Sequence, residues 1–256
     1  MLAWTKSGNP IEHPTPWGCH GVFSTLRVLP KHNVLFKKQH LQRILENADT
    51  LGLPWVPRLD ELNSRLEEYL QKLQEDEDKL LRICLLEDCL GLSVRPALSD
   101  GKPVEGWLLP YRRPDPTIKC TAEKNLYGKL TELEITREDW IIMDPKDNEL
   151  RETATSNLIF VKDNNLLIPD KNILLGITLQ NLIPYLKISF SISRGIPQDQ
   201  HIAEFDEILL CGTGRGVAPL EKISELGWSM NGRENFFKIR SLYEEMITSK
   251  DAKLSI

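Results

Sequence analysis

Within the first sixty residues the spacing of apolar side chains changes period, and that change restricts the chain to a fold in which sheet and helix pack together. Gly21 to Phe36 reads GVFSTLRVLPKHNVLF, two β-rich runs around Pro30-Lys31-His32-Asn33, which predicts a hairpin. From Lys38 the apolar residues Leu41, Ile44, Leu45, Ala48 and Leu51 recur at helical spacing, and Gly52 is placed to cap the helix. Leu59, Leu62, Leu66, Tyr69, Leu70 and Leu73 predict a second amphipathic helix, followed by short strands at Leu80–Leu86, Leu92–Pro96 and Trp107–Pro110. The run PYRRPDP at Pro110–Pro116 has the composition of a connector. These patterns predict a two-domain α+β / α/β protein: a smaller α+β domain over 1–110, a connector at 111–118 and a larger domain over 119–256. The second part predicts a helix near Ala122–Glu134, strands at Trp140–Asp144 and Ser156–Lys162, and a helix from about Ile177 to Tyr185. Strands at Ile188–Arg194 and Glu207–Cys211 and a last helix near Glu234–Ile247 follow.

A hydrophobic content of 41% over 256 residues suffices for a sizeable core, and the net charge of -5 offers no basic surface for nucleic acid. The start, MLAWTKSGNP, lacks a basic segment followed by an apolar one, and runs such as WIIM and EILLC are too short to cross a bilayer. A cytosolic protein with no membrane contact is expected. Cys19, Cys84, Cys89, Cys120 and Cys211 form no CxxC pair and the histidines are scattered, so reduced thiols and no metal site are expected.

Single residues that could carry chemistry have ordinary readings. Lys119 in a Pro-rich segment is a solvated charge, Glu152 in LRETATSN a polar strand end, and Arg43 a helix surface residue with an apolar stem. Thr178 and Thr213, each beside a glycine, are turn residues. Their surroundings point further. LLGITLQNLI at Leu174–Ile183 presents a helix N-terminus behind Gly176, whose free N–H groups at Ile177 and Thr178 suit an anion. CGTGRG at Cys211–Gly216, holding Gly212 and Thr213, is a small-residue turn able to form a second anion-holding nest.

Taken in order, GVFSTLRV at Gly21–Val28, HLQRI at His40–Ile44, ELRETATSNLIFV at Glu149–Val161, GIT at Gly176–Thr178 and FDEILLCGTGRGVAPL at Phe205–Leu220 resemble the motifs of the fold type IV, or class IV aminotransferase, enzymes that use pyridoxal 5′-phosphate (PLP). The resemblance implies that a lysine amine joins the cofactor aldehyde and later moves protons, while a carboxylate keeps the pyridine nitrogen protonated. It assigns Arg43, Thr178 and Thr213 to the phosphate, Glu152 to the ring nitrogen and Asn157 to its support, and it implies a homodimer. Lys119 fits the lysine position: 152 − 119 = 33 leaves room for a helix of about 12 residues and a strand of about 6. Lys124 and Lys129 fall inside the predicted helix and read as solvent-facing. His20 stands where the family commonly has Asp, and Asn125 and Tyr127 come late after the lysine; Tyr127 is a candidate partner of the ring oxygen.

Three functions are compatible with these residues, the first two on a small-molecule amino substrate. Ser24-Thr25 in FSTLRV and the chain's length resemble 4-amino-4-deoxychorismate lyase, which gives 4-aminobenzoate and pyruvate in folate synthesis, with Thr25 as the proton-handling hydroxyl. An aminotransferase for D- or branched-chain amino acids with 2-oxoglutarate would use the same cofactor residues and an arginine, Arg95, Arg112 or Arg113, for the substrate carboxylate. A non-catalytic α/β binding protein is the third, disfavoured by the joint presence of Lys119 and Glu152. The connector arginines offer no fixed clamp, which favours the lyase.

Overall fold

The computed structural model describes residues 1–13, 15–74, 76–249 and 252. The chain divides into two compact units, one made of 1–97, 118–128 and 249–256, the other of 98–117 and 129–248.

The first unit contains strands β1 (Leu2–Thr5), β2 (Pro10–Glu12), β3 (Gly21–Leu29) and β4 (Asn33–Val34), helices α1 (Lys37–Thr50) and α2 (Leu59–Leu70), strands β5 (Lys79–Leu86) and β6 (Cys89–Pro96), and a four-residue helix α3 (Lys124–Tyr127). The strands form one sheet in the order β2-β1-β6-β5-β3-β4. The β3–β4 hairpin turns through Lys31 and His32, both left-handed, and pairs Leu29 with Asn33. Gly52, with φ 69°, ends α1, and the Leu53 N–H reaches back to Ala48 O at 3.0 Å.

Strand alternation decides what each side of this sheet carries. Val22, Leu26 and Val28 of β3 and Leu81, Ile83 and Leu85 of β5 bury against Leu41, Ile44 and Ala48 of α1 and Leu62, Leu66 and Leu70 of α2. The intervening residues of β3, namely Phe23, Thr25 and Arg27, lie on the other side, directly across from Cys84, Arg82 and Leu80 of β5.

The second unit contains β7 (Val104–Pro110), β8 (Glu138–Met143), β9 (Leu150–Thr153), β10 (Asn157–Lys162), β11 (Asn165–Ile168), α4 (Ile177–Ser189), β12 (Ser191–Arg194), β13 (Glu207–Gly212), β14 (Gly216–Ile223), β15 (Trp228–Ser229) and α5 (Glu234–Thr248). Its sheet runs β12-β11-β10-β13-β14-β7-β8-β9, and a further pairing of β10 with β9 joins the path on itself. The result is a barrel-like sheet filled by Val104, Ile141, Leu150, Leu158, Phe160, Ile208, Leu210, Ala218 and Leu220. This is the mixed α/β architecture that the sequence predicts.

Several expectations need correction. The strand at Trp107–Pro110 begins at Val104 and belongs to the second unit, where it pairs in parallel with β8. The chain does not change units once at 111–118: it enters the second unit at 98, returns to the first for 118–128, leaves again at 129 and rejoins the first at 249. The helix expected near Ala122–Glu134 is reduced to α3 and a 3-10 turn at Gly128–Glu132. The apolar spacing of Leu126, Leu130 and Leu133 mimics a helix, but Gly128 is a poor helix former at the point where the path tightens. The strand expected from Ile188 starts at Ser191, because α4 continues to Ser189.

Ile44 is 1% exposed between β3 and α2. Ile44→Ala is expected to cost about 2–5 kcal/mol by removing buried methyl groups and leaving a cavity. A urea titration showing a loss under about 1 kcal/mol would mean that the helix layer collapses around the gap.

Candidate active site

In the first unit, residues 118–121 run beside the start of β3. The Phe23 N–H donates to Lys119 O at 2.9 Å, the Thr121 N–H to Gly21 O at 2.9 Å, and the Lys119 N–H to Asn47 Oδ1 of α1 at 3.1 Å. This seats Lys119 with its Nζ 4.8 Å from the Phe23 ring centroid and 6.0 Å from that of Tyr127. Trp17, Phe23 and Tyr127 form one aromatic cluster with centroids 5.0 Å apart, Trp17 stacked on Tyr127 and Phe23 edge-on to both. The Arg82 guanidinium lies 4.6 Å from the Trp17 centroid and 5.9 Å from that of Phe23. Two cations therefore share one set of ring faces, each contact a cation–π attraction.

Arg82 stands across from Thr25 on one side and Ser93 on the other. Its Nε is buried and has no hydrogen-bond partner, and burial pulls its pKa below the ordinary guanidinium value. A buried donor left unmade costs free energy that an anionic ligand would recover.

The helix-facing side of β3 carries the other cation. Ser24 Oγ contacts His40 Nδ1 at 2.9 Å and accepts from Arg43 Nη2 at 2.8 Å. Burial, then the charges of Arg43 and Lys119, hold the His40 pKa well below the usual imidazole value. His40 is thus a neutral spacer. Burial also lowers Arg43 to about 10, and its Nε is buried without a hydrogen-bond partner. Arg43 meets a neutral hydroxyl at Ser24, so this side of its charge is not matched by a carboxylate.

In the second unit, Glu152, next to last in β9, pairs with Asn157, the first residue of β10. Arg113 Nη1 donates to Glu152 Oε1 at 2.9 Å, with both side chains buried. The Leu174 N–H approaches Glu152 Oε2 at 3.3 Å. Asn157 donates through Nδ2 to Leu174 O at 2.9 Å and accepts from the Gly176 N–H at 2.8 Å. Gly176 is the N-cap residue ahead of α4, and no side chain caps that helix end. A Cβ at Gly176 would lie 2.7 Å from Asn157 Oδ1, so only glycine lets the turn approach so closely. Thr178 is buried in the first turn of α4. Gly212 ends β13 and Thr213 opens the turn to β14, and Gly212 packs on the turn between β9 and β10: a Cβ there would be 2.8 Å from Ser156 Oγ.

Each unit thus groups its own share of the predicted residues. Lys119, Arg43 and Thr25 lie in the first, with Tyr127 5% exposed inside the ring cluster. Glu152, Asn157, Gly176, Ile177, Thr178, Gly212 and Thr213 lie in the second. In the second unit an uncapped helix start and a glycine turn that tolerates no Cβ suit an anion such as a phosphate; in the first, Arg43 keeps a buried Nε without a hydrogen-bond partner. Lys124 is exposed, Lys129 lies 5.9 Å from the Trp140 centroid, and His20 pairs with Glu87 at the surface. Of the arginines expected as substrate clamps, Arg113 is engaged by Glu152, and Arg112 is bound through Nε and Nη2 to Asp144. Arg95 lies two residues beyond Ser93 on β6. Sequence reasoning missed Arg82, His40, Ser24, Trp17 and Phe23. Only the β3–β5 register brings Arg82 opposite Thr25, although His40 lies inside the HLQRI motif itself.

The sequence pattern of the amino-transferase class IV family matches residues 21–223. No curated protein sequence matches the chain. The fold is similar to that of a branched-chain aminotransferase from Thermoproteus uzoniensis crystallised with norvaline, with a TM-score of 0.80 and 19% identity over 98% of this chain and 96% of the other. It is also similar to a hypothetical aminotransferase from Mycobacterium tuberculosis in its PLP-bound form, with a TM-score of 0.77 and 19% identity over 96% and 99%. The branched-chain amino acid aminotransferase from Escherichia coli aligns with a TM-score of 0.74 and 17% identity over 94% and 92%. The chain belongs to the class IV aminotransferase family and is a PLP-dependent enzyme.

Because His40 is held neutral in the folded protein, the unfolded chain takes up a proton on this residue that the native one refuses. Stability is expected to fall as pH drops below about 6.5, by at most about 1.4 kcal/mol per pH unit from this group. Urea midpoints at pH 7.5 and 5.5 check it: His40→Gln should lose less stability over that interval than the wild type, and an equal loss would show that His40 does not contribute.

Proposed function

We propose that this family member is an aminotransferase that moves an amino group from an amino acid to a 2-oxo acid, with PLP carried on Lys119. Bound PLP supplies an aldehyde that condenses with a primary amine and a protonated ring that draws electrons away from the amine-bearing carbon. The protein's own residues divide the remaining work. Lys119 holds and moves a proton at that carbon. Glu152 holds the proton at the pyridine nitrogen, and Arg113, charged at every working pH, balances its carboxylate. Arg43, Thr178, Thr213 and the N–H groups at the start of α4 bind the phosphate. The rings of Phe23 and Tyr127 exclude water beside the Lys119 amine.

Arg82 is the observation that carries the choice of reaction. A transaminase accepts two carboxylates in succession and needs a fixed cation for them. The connector arginines are committed elsewhere, yet Arg82 is fixed by β5, covered by Trp17, and has a buried Nε without a partner. The length argument for the lyase also weakens, since aminotransferases are spanned over 96% and 99% of their own chains. The lyase remains the second reading because Thr25 is half-buried directly across from Arg82. A hydroxyl beside a carboxylate-binding cation would suit proton transfer to a ring carbon.

The deciding assay supplies the holoenzyme with a panel of D- and L-amino acids plus 2-oxoglutarate, and separately with aminodeoxychorismate. Glutamate should accumulate in the first; pyruvate and 4-aminobenzoate in the second, without glutamate in the first, would establish the lyase. Arg82→Gln should raise KM for both carboxylate substrates at least about tenfold, the value of one charge-assisted contact, with PLP content unchanged. An unchanged KM would remove Arg82 from substrate binding.

A further inference from the structure

At one end of the barrel-like sheet of the second unit a charged pair lies almost wholly out of water. Asp139 of β8 is 0% exposed and Arg215, in the turn before β14, is 2% exposed. They lie 76 residues apart in sequence, and neither belongs to the cofactor residues named above. Asp139 Oδ2 accepts from Thr153 Oγ1 at 2.9 Å and from Thr155 Oγ1, both in the β9–β10 hairpin that separates Glu152 from Asn157. The same oxygen faces Arg215 Nε at 3.4 Å. Arg215 Nη2 donates to Ile135 O at 3.0 Å and to Glu138 O, which anchors the guanidinium to the chain entering β8.

Both turns are constrained from their other sides as well. Thr153 Oγ1 also lies 3.1 Å from Ser156 O and accepts from the Ser156 N–H at 2.9 Å. The Gly214 carbonyl accepts from Ser99 Oγ at 3.1 Å, and the Arg215 carbonyl from the Gly101 N–H at 2.9 Å. Gly212 closes the gap: a Cβ there would lie 3.0 Å from Thr155 O. A displacement of one turn is therefore passed to the other.

A buried ion pair contributes little net stability, because desolvating two charges offsets their attraction; its best-attested use is to fix one arrangement among several. Here the arrangement fixed is that of two turns, one carrying Thr213 and the other leading into Asn157, which bonds the Gly176 N–H ahead of α4. We propose that Asp139, through Arg215 and Thr155, is a positioning residue that holds these turns in register and so sets the affinity of the protein for the cofactor's phosphate. The inference rests on the PLP reading above and extends it to residues that do not touch the cofactor.

The experiment titrates wild type, Asp139→Asn, Arg215→Lys, Arg215→Met and Thr155→Val apo-protein with PLP and, in parallel, with pyridoxal, which has the same ring and aldehyde but no phosphate. Thermal midpoints of the apo forms are recorded beside each titration. Asp139→Asn should raise the Kd for PLP at least about tenfold, and Thr155→Val, which removes a half-buried hydroxyl that bonds Asp139 Oδ2 and lies 3.4 Å from both Arg215 Nε and Ser156 Oγ, about threefold. The Kd for pyridoxal should stay within about twofold, because the lost element serves the phosphate alone. Arg215→Lys should restore part of the affinity that Arg215→Met abolishes. Equal losses for PLP and pyridoxal would reduce the pair to a general structural role and overturn the proposal, as would a wild-type Kd for PLP in Thr155→Val and in whichever charged-pair variant folds. A wild-type protein that binds no PLP would overturn the cofactor reading, and this inference with it.

Discussion

The antiparallel pairing of Glu152 with Asn157 joins β9 to β10 and so closes the sheet of the second unit. Everything that unit contributes to chemistry is referred to this closure. It sets Glu152 and Asn157 side by side at a strand end, where Glu152 meets Arg113 and the Leu174 N–H and Asn157 bonds both sides of the turn that starts α4. The helix start, with its unsatisfied N–H groups, is then positioned by an amide whose donor and acceptor are both used. Moving the pair by one residue would turn both side chains to the opposite face of the sheet and lose the acid and the phosphate turn together.

In the first unit the governing constraint is the two-residue period of β3. It sends Ser24 toward α1, where it meets His40 and Arg43, and sends Phe23 and Thr25 to the side that carries Arg82. Arg43 and Arg82 each keep a buried Nε without a partner, next to a neutral hydroxyl in one case and aromatic rings in the other. Such positions are costly for a protein at rest and are kept where an anion completes them. The two arginines, one on α1 and one on β5, reach opposite sides of the same sheet.

Much of this was readable in the chain. The helical spacing from Leu41 to Leu51 locates Arg43, the β-rich run from Gly21 locates Thr25, and the two glycines that approach the β9–β10 hairpin most closely, Gly176 and Gly212, stand out beside their threonines. What escaped depends on pairing rather than on local pattern. Arg82 sits in LLRICLL, a run that reads as an apolar strand, and gains meaning only when β5 aligns it with Thr25. Asp139 and Arg215 are joined only by the closed sheet. The reading of Lys119 from its distance to Glu152 assumed a long helix and one strand, whereas the interval holds a four-residue helix, a 3-10 turn and two strands. Its place beside Phe23 comes instead from the bonds that 118–121 make with β3 and Asn47.

The attachment point of the cofactor is the most direct test of this account. The PLP-loaded protein, reduced with borohydride, digested and mapped by mass spectrometry, should carry the pyridoxyl label on the peptide containing Lys119, and Lys119→Ala should take up no label. Label on Lys124 or Lys129, or full labelling of Lys119→Ala, would contradict it.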